Sequence, residues 1–144
     1  MTKLLEVEGI GPKFAEKLKT KGVRSAEDLL KKGATPKGRK ELAENTGIGD
    51  ALILEWVNHV DLFRIKGVGS EYSDLLEEAG VDTIVELAQR NAANLFQKMV
   101  EVNTAKKLVR KMPVQSQVEG WVAQAKKMEK YLHKAGFKTK RFPA

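Results

Sequence analysis

The segment LEVEGIGPKFAEKLKTKGVRSAEDLL, residues 5–30, decides the fold, because its pattern returns 58 positions later as FRIKGVGSEYSDLLEEAGVDTIVELA, residues 63–88. Apolar, glycine and hydroxyl residues keep their places in the second copy. The match extends to Trp56 and Trp121, where the offset has grown to 65 residues. We therefore predict two tandem units of about 60 residues, the second with about seven extra residues around Pro113.

Each unit is predicted to consist of helices. The glycines of Gly9-Ile10-Gly11 interrupt two short apolar segments, and Pro12 suits the first turn of a helix. Phe14 and Leu18 are four residues apart and share one helical face, and Gly22 then favours a left-handed helix end. No segment shows the sustained alternation of a strand. The sequence therefore predicts an all-α fold.

Helix starts and unit boundaries follow from the same pattern. Ser25-Ala26-Glu27-Asp28 has the spacing of a capping box, and Thr83-Ile84-Val85-Glu86 repeats it. We expect a first unit over residues 1–60, a second over residues 61–134 and a basic tail over residues 135–144. The two units are expected to pack into one compact helical domain.

Composition narrows the class of protein. Hydrophobic residues make up 42% of the 144 residues and charged residues 31%, which is typical of a soluble globular chain. The absence of cysteine excludes disulfides and thiolate metal sites. No stretch reaches the roughly 18 apolar residues of a membrane span, and the N-terminus lacks a signal-peptide core. A cytoplasmic protein without membrane association is expected.

The positive charge is concentrated at one end of the chain. The net charge is +7, yet residues 126–144 alone hold seven Lys or Arg against one acidic residue, Glu129. Such a tail favours a polyanion or an acidic surface as its partner. Its interleaved aromatic residues could also stack on exposed bases. The alternative is a solubilising extension whose aromatic residues finish the last helix or dock on the body.

At Gly-Ile-Gly-Pro-Lys, residues 9–13, and Gly-Val-Gly, residues 67–69, the chain resembles the helix-hairpin-helix motif. That motif occurs in DNA repair proteins, ligases, polymerases and the C-terminal domain of bacterial RNA polymerase alpha. Through residues 42–48 and 56–62, the chain to about residue 134 also resembles an uncharacterised bacterial domain family built of tandem helix-hairpin-helix units. This resemblance implies a fold and brings no established function.

The chemistry of such a hairpin suits a phosphate. Its glycines allow close backbone approach, Ile10 can fill the gap between the helices, and the free N–H groups of the next helix point outward. The resemblance implies a cation shortly after the second glycine, and Lys13 holds that place with Lys17 one turn later. The second copy has Ser70 and Glu71 instead, so its hairpin is expected to be a structural turn.

No catalytic constellation is evident, and neither enzyme activity nor a cofactor, a metal or a small-molecule substrate is expected. His59 and His133 are the only histidines and lack a clustered carboxylate pattern. The first hypothesis is a non-catalytic nucleic-acid-binding module, for DNA rather than RNA. Its expected contact residues are Gly9, Ile10, Gly11, Lys13, Lys17, Lys138, Lys140 and Arg141. The alternative is a protein-interaction scaffold in which both hairpins, including Gly67 and Gly69, are purely structural.

Overall fold

A computed structural model describes the backbone of residues 2–135 and the side chains of residues 2–128. Within this range the chain is helical, as predicted, and Lys3 and Ser25 form an isolated bridge without any strand. A short 3-10 turn, Leu4–Glu6, precedes the helices. The helices are α1 Pro12–Thr20, α2 Ala26–Gly33, α3 Pro36–Thr46, α4 Asp50–Leu62, α5 Ser70–Glu78, α6 Ile84–Ala88, α7 Ala92–Lys106 and α8 Gln115–Ala135. None of these described helices is long and apolar enough to cross a membrane.

The chain forms two compact units. The first contains the residues up to Asp61, and the second spans Leu62–Leu132. Each has fully buried aliphatic residues of its own, since Leu18 and Ile53 are at 0% exposure in the first and Leu76 and Leu95 in the second. Burial of such side chains is the main favourable term for each unit.

In the first unit, α1 begins and ends as its sequence predicts. Gly11 is its N-cap in an extended conformation, and Pro12 follows at the first helical position. After the helix, Gly22 adopts a φ of 84°, which lets the Val23 N–H donate to the Leu18 carbonyl at 3.0 Å. The Ser25 hydroxyl then accepts from the Asp28 N–H at 3.1 Å and opens α2.

Helices α2 and α3 approach one another at Gly38. A β-carbon placed on Gly38 would lie 2.0 Å from the Lys32 carbonyl oxygen, so a side chain here requires the backbone to move. The Gly38 N–H donates to Thr35 Oγ1 at 3.0 Å, and Arg39 Nη1 donates to the Gly33 carbonyl at 2.9 Å. These contacts fix the turn between the two helices.

The second unit repeats the local geometry of the first. Helix α5 has the bounds of α1 shifted by 58 residues. Gly80 has a φ of 97°, and the Val81 N–H donates to the Leu76 carbonyl at 2.8 Å. The cap of α6 differs from the prediction. Thr83 donates its hydroxyl to Glu86 Oε1 at 3.0 Å and makes no side-chain cap bond to the backbone.

Each unit places a tryptophan behind its hairpin. The Phe14 and Trp56 rings lie edge to face with centroids 5.1 Å apart, and the Tyr72 and Trp121 rings are 5.4 Å apart. Trp56 is fully buried and Trp121 is 3% exposed. Equivalent residues of the two units thus have equivalent aromatic neighbours. The assignment of these units to the helix-hairpin-helix motif stays a prediction.

Candidate nucleic-acid interface

The first hairpin, residues 9–13, contains a turn that packs against Trp56. Gly9 has a φ of 92°, and a β-carbon on it would lie 3.0 Å from Trp56 Nε1. Ile10 is 4% exposed, and its N–H donates to the Val7 carbonyl at 3.0 Å. The buried isoleucine fills the interior of the turn, so the glycines on either side of it define the outer surface.

Backbone N–H groups without a hydrogen-bond acceptor lie at the start of α1. The Ala15 N–H donates to the Gly11 carbonyl at 2.9 Å, and Pro12 has no N–H. The N–H groups of Lys13 and Phe14 have no acceptor among the described residues. No atom lies within 4 Å of a β-carbon placed on Gly11, so the approach to these amides is open. The helix dipole adds partial positive charge at this point.

Two lysines supply full charges beside the amides. Lys13 and Lys17 are exposed and one helical turn apart. Neither side chain forms a salt bridge or a hydrogen bond within the described part of the chain. The structure therefore brings together all five predicted residues of the first hairpin on one short segment, with Ile10 inside and the lysines outside.

The second hairpin has the same backbone and a different charge pattern. Gly67 has a φ of 97°, and its β-carbon position lies 3.1 Å from Trp121 Nε1. Val68 is buried, and Glu71 is exposed in the first turn of α5. An acidic group at this place opposes an anion.

Cations nevertheless approach the second hairpin from elsewhere in the chain. A groove of about 450 Å³ runs beside it, and its lining residues are Gly67, Gly69, Ser70, Glu71, Tyr72, Arg110 and Lys111. Tyr72 Oη donates to the Lys111 carbonyl at 2.9 Å and ties this segment to the hairpin. Sequence reasoning missed Arg110 and Lys111 at this site. The signal that could have found them is the extra length around Pro113, which has no counterpart in the first unit.

The tail residues proposed to bind nucleic acid, Lys138, Lys140 and Arg141, lie outside the described residues. The structure thus places five of the eight predicted contact residues, and these five belong to the first unit.

Shifted pKa values occur at structural contacts. Burial lowers the pKa of Arg39, and the nearby charge of Asp50 acts in the opposite direction. Burial acts to raise the pKa of Glu27, but hydrogen bonds from its own N–H and from Thr2 outweigh it and the net shift is downward. A hydrogen bond to Glu78 raises the pKa of Lys106. Each of these shifts has a packing or pairing cause within one unit.

The chain belongs to the family described as Domain of unknown function (DUF4332), whose model matches residues 8–128. The matched range includes both hairpins. No curated protein and no solved structure matches the chain. The family description names no activity.

Proposed function

We propose that this chain is a non-catalytic nucleic-acid-binding module, which contacts the phosphate backbone through the first hairpin and the basic tail. The observation that carries the proposal is the pair of open amides, on Lys13 and Phe14, with two unpaired lysine side chains beside them. Backbone N–H groups at a helix start and nearby ammonium groups are complementary to a phosphate in both charge and geometry. The proposed partner is DNA in preference to RNA.

The contacts of this proposal go to phosphate groups, so they carry no sequence information. Binding is therefore weak, largely independent of sequence and strongly dependent on salt, because each neutralised phosphate releases counterions. For duplex DNA, the slope of log affinity against log salt is about −0.9 for each phosphate neutralised.

The first test is a salt titration of fluorescence anisotropy, with labelled duplex and single-stranded oligonucleotides of unrelated sequences. Lys13→Glu is expected to weaken binding and to reduce the slope by about one unit, since it removes one phosphate contact. Lys66→Glu, an equal charge change just before the second hairpin, is the matched control and is expected to have a much smaller effect. Thermal melting checks that both variants fold.

A second variant tests the close approach of the backbone. Gly11→Ala adds one methyl group in open space, where the fold tolerates it and an approaching phosphate does not. The expected result is weaker binding with the native melting temperature. Gly69→Ala, which is also free of neighbours within 4 Å, is the control in the second hairpin.

Deletion of residues 136–144 tests the tail, because it removes Lys138, Lys140 and Arg141. The slope is expected to fall further than in Lys13→Glu alone. Unchanged affinity after both the Lys13 change and the deletion would reject the nucleic-acid proposal.

The second candidate is a protein-interaction scaffold. The groove of the second unit favours it, because Glu71 lies there with Arg110 and Lys111 and the combination suits a partner of mixed charge. Under this proposal the oligonucleotides do not bind measurably, and both hairpins serve as turns. The anisotropy assay thus separates the two candidates.

A further inference from the structure

The first unit has a cleft lined by two lysines at the C-terminal end of α1. This cleft of about 210 Å³ is lined by Lys21, Lys32, Gly38, Glu41, Leu42 and Asn45. We name it the Lys21–Lys32 cleft. This volume is large enough for a phosphate group together with several waters.

The walls of the cleft are fixed by backbone packing. Gly38 lies so close to the Lys32 carbonyl that no side chain fits between α2 and α3 at this point. Lys32 Nζ is 3.8 Å from the position of a β-carbon on Gly22, the residue next to Lys21. This contact places Lys32 beside the turn that follows α1, where Lys21 lies, although the two lysines are 11 positions apart in the sequence.

The polar side chains of the cleft are not used by the protein itself. Those of Lys21, Lys32, Glu41 and Asn45 form neither a hydrogen bond nor an ion pair with any described residue. Both lysines lie at helix C-termini, where the partial negative charge of the backbone carbonyls stabilises their ammonium groups and offsets part of their charge toward an anion. No carboxylate among the described residues bonds to either lysine. Glu41 is the one opposing charge among the residues that line the cleft, so the cleft carries a net positive charge.

At the corresponding positions of the second unit, the polar side chains form hydrogen bonds within the unit itself. Lys21 and Lys32 correspond to Ala79 and Arg90, and Arg90 Nη1 donates to the Ala79 carbonyl at 3.4 Å. Asn45 corresponds to Asn103, whose side chain bonds both the N–H and the carbonyl of Val109, at 3.0 and 3.3 Å. In the second unit these polar groups bond to the protein itself. In the first unit the side chains of Lys21, Lys32 and Asn45 have no such partner among the described residues.

The cleft continues the surface used by the proposed function. Lys13, Lys17 and Lys21 are spaced four residues apart, so they follow one side of α1 from its first turn to its C-cap. Eight residues of helix advance about 12 Å. Measured along the axis of a DNA duplex, where successive phosphates of one strand advance by about 3.4 Å, this distance corresponds to about three or four phosphate steps.

From these observations we infer that the Lys21–Lys32 cleft binds a backbone phosphate of the same nucleic-acid strand that lies on the first hairpin. Lys21 and Lys32 contact the phosphate oxygens, Asn45 donates from its amide, and Glu41 weakens the contact. This inference rests on the proposed function and extends it from a single point of contact to a track along α1.

The experiment uses the full chain and a labelled DNA duplex of about two helical turns, titrated with salt between about 50 and 200 mM. The double variant Lys21→Gln, Lys32→Gln is expected to reduce the slope by about 0.9, so that the fourfold rise in salt costs about 3.5-fold less affinity than in the unchanged protein. The double variant Lys19→Gln, Lys40→Gln is the matched control, because it removes the same charge from two exposed lysines that do not line the cleft. Glu41→Gln is expected to strengthen binding.

The possible outcomes separate the two proposals. If the unchanged protein does not bind DNA, the proposed function fails. If Lys13→Glu weakens binding while the cleft double variant binds like the Lys19→Gln, Lys40→Gln variant, the proposed function stands and the cleft assignment is overturned. If polyglutamate displaces the duplex as effectively as unlabelled DNA at equal charge, and the double variant abolishes that displacement, the cleft serves an acidic protein partner and the assignment is again overturned.

Discussion

Replacing Gly9 by alanine, with Gly11→Ala as its partner variant, tests whether the hairpin glycines serve the fold or the ligand. Gly9 has a φ of 92°, a conformation that L residues rarely adopt, and its β-carbon would meet Trp56 Nε1 at 3.0 Å. Gly11 has φ and ψ of −92° and −177°, which any residue adopts, and its β-carbon would meet no atom within 4 Å. The methyl group of an alanine would therefore be strained at Gly9 and unobstructed at Gly11, although the two positions are only two residues apart.

The magnitude follows from these contacts. A left-handed alanine costs about 1–2 kcal/mol, and a contact that cannot relax against a fully buried tryptophan adds about 1 kcal/mol. The lower entropy of the unfolded alanine chain returns about 0.4–1 kcal/mol. Gly9→Ala is therefore expected to lower the free energy of unfolding by about 2 kcal/mol, or the Tm by about 6 °C. For Gly11→Ala, the lost N-cap preference and the same entropy gain offset each other to within about 0.5 kcal/mol.

Thermal and urea unfolding, followed by far-UV circular dichroism, measure both variants. Gly67→Ala and Gly69→Ala repeat the test in the second unit, where the β-carbon of Gly67 would lie 3.1 Å from Trp121 Nε1 and that of Gly69 would have no neighbour. Equal losses for Gly9→Ala and Gly11→Ala would refute the reasoning, because the two positions differ in φ and in free space. A Gly9→Ala variant with the same free energy of unfolding as the unchanged protein would also refute the reasoning.

Four further substitutions test other parts of the structure. Leu18→Ala and Leu76→Ala, both at fully buried equivalent positions, are each expected to cost about 2–5 kcal/mol in urea unfolding, and a loss confined to one of them would contradict the equivalence of their surroundings. Ser25→Ala removes the bond accepted from the Asp28 N–H and is expected to cost about 1 kcal/mol in the same assay. Because the pKa of Glu27 is lowered in the folded chain, its carboxylate stabilises the fold above the unfolded pKa, and this contribution disappears as pH falls through the folded pKa. Glu27→Gln is therefore expected to be less stable than the unchanged protein at neutral pH and equally stable in acid, and a difference that persists in acid would contradict the assignment.

The helical fold could be predicted because local and global signals agree. Gly22 and Gly80 end helices that begin at Pro12 and Ser70, and the same spacing of glycine, proline and apolar residues indicates these ends in the sequence. The cap at Thr83 was predicted less well. Its box spacing is correct, but the hydroxyl donates to the Glu86 carboxylate rather than accepting from the backbone. Spacing limits which groups can meet, and the local geometry decides which bond forms.

The surroundings of the hairpins could be predicted only in part. The position of Lys13 and Lys17 beside the first hairpin could be predicted, because both residues closely follow the glycines in the sequence. Lys32 and Arg110 reach their sites through the packing of separate helices and loops, which periodicity does not describe. The tryptophan contact behind each hairpin was missed for the same reason, since Trp56 lies 47 residues after Gly9.

The four hairpin glycines therefore do not carry equal weight in the functional argument. Gly9 and Gly67 are required by a positive φ and by a tryptophan placed against them, so the fold alone explains them and they say nothing about a ligand. Gly11 and Gly69 have ordinary backbone angles and empty space beside them, and they are N-caps where serine or aspartate would serve at least as well. What glycine adds at these two places is an unobstructed path to the amides that follow. In the first hairpin that path is flanked by Lys13 and Lys17, and in the second by Glu71, so the first hairpin is where the lack of a side chain favours an anion.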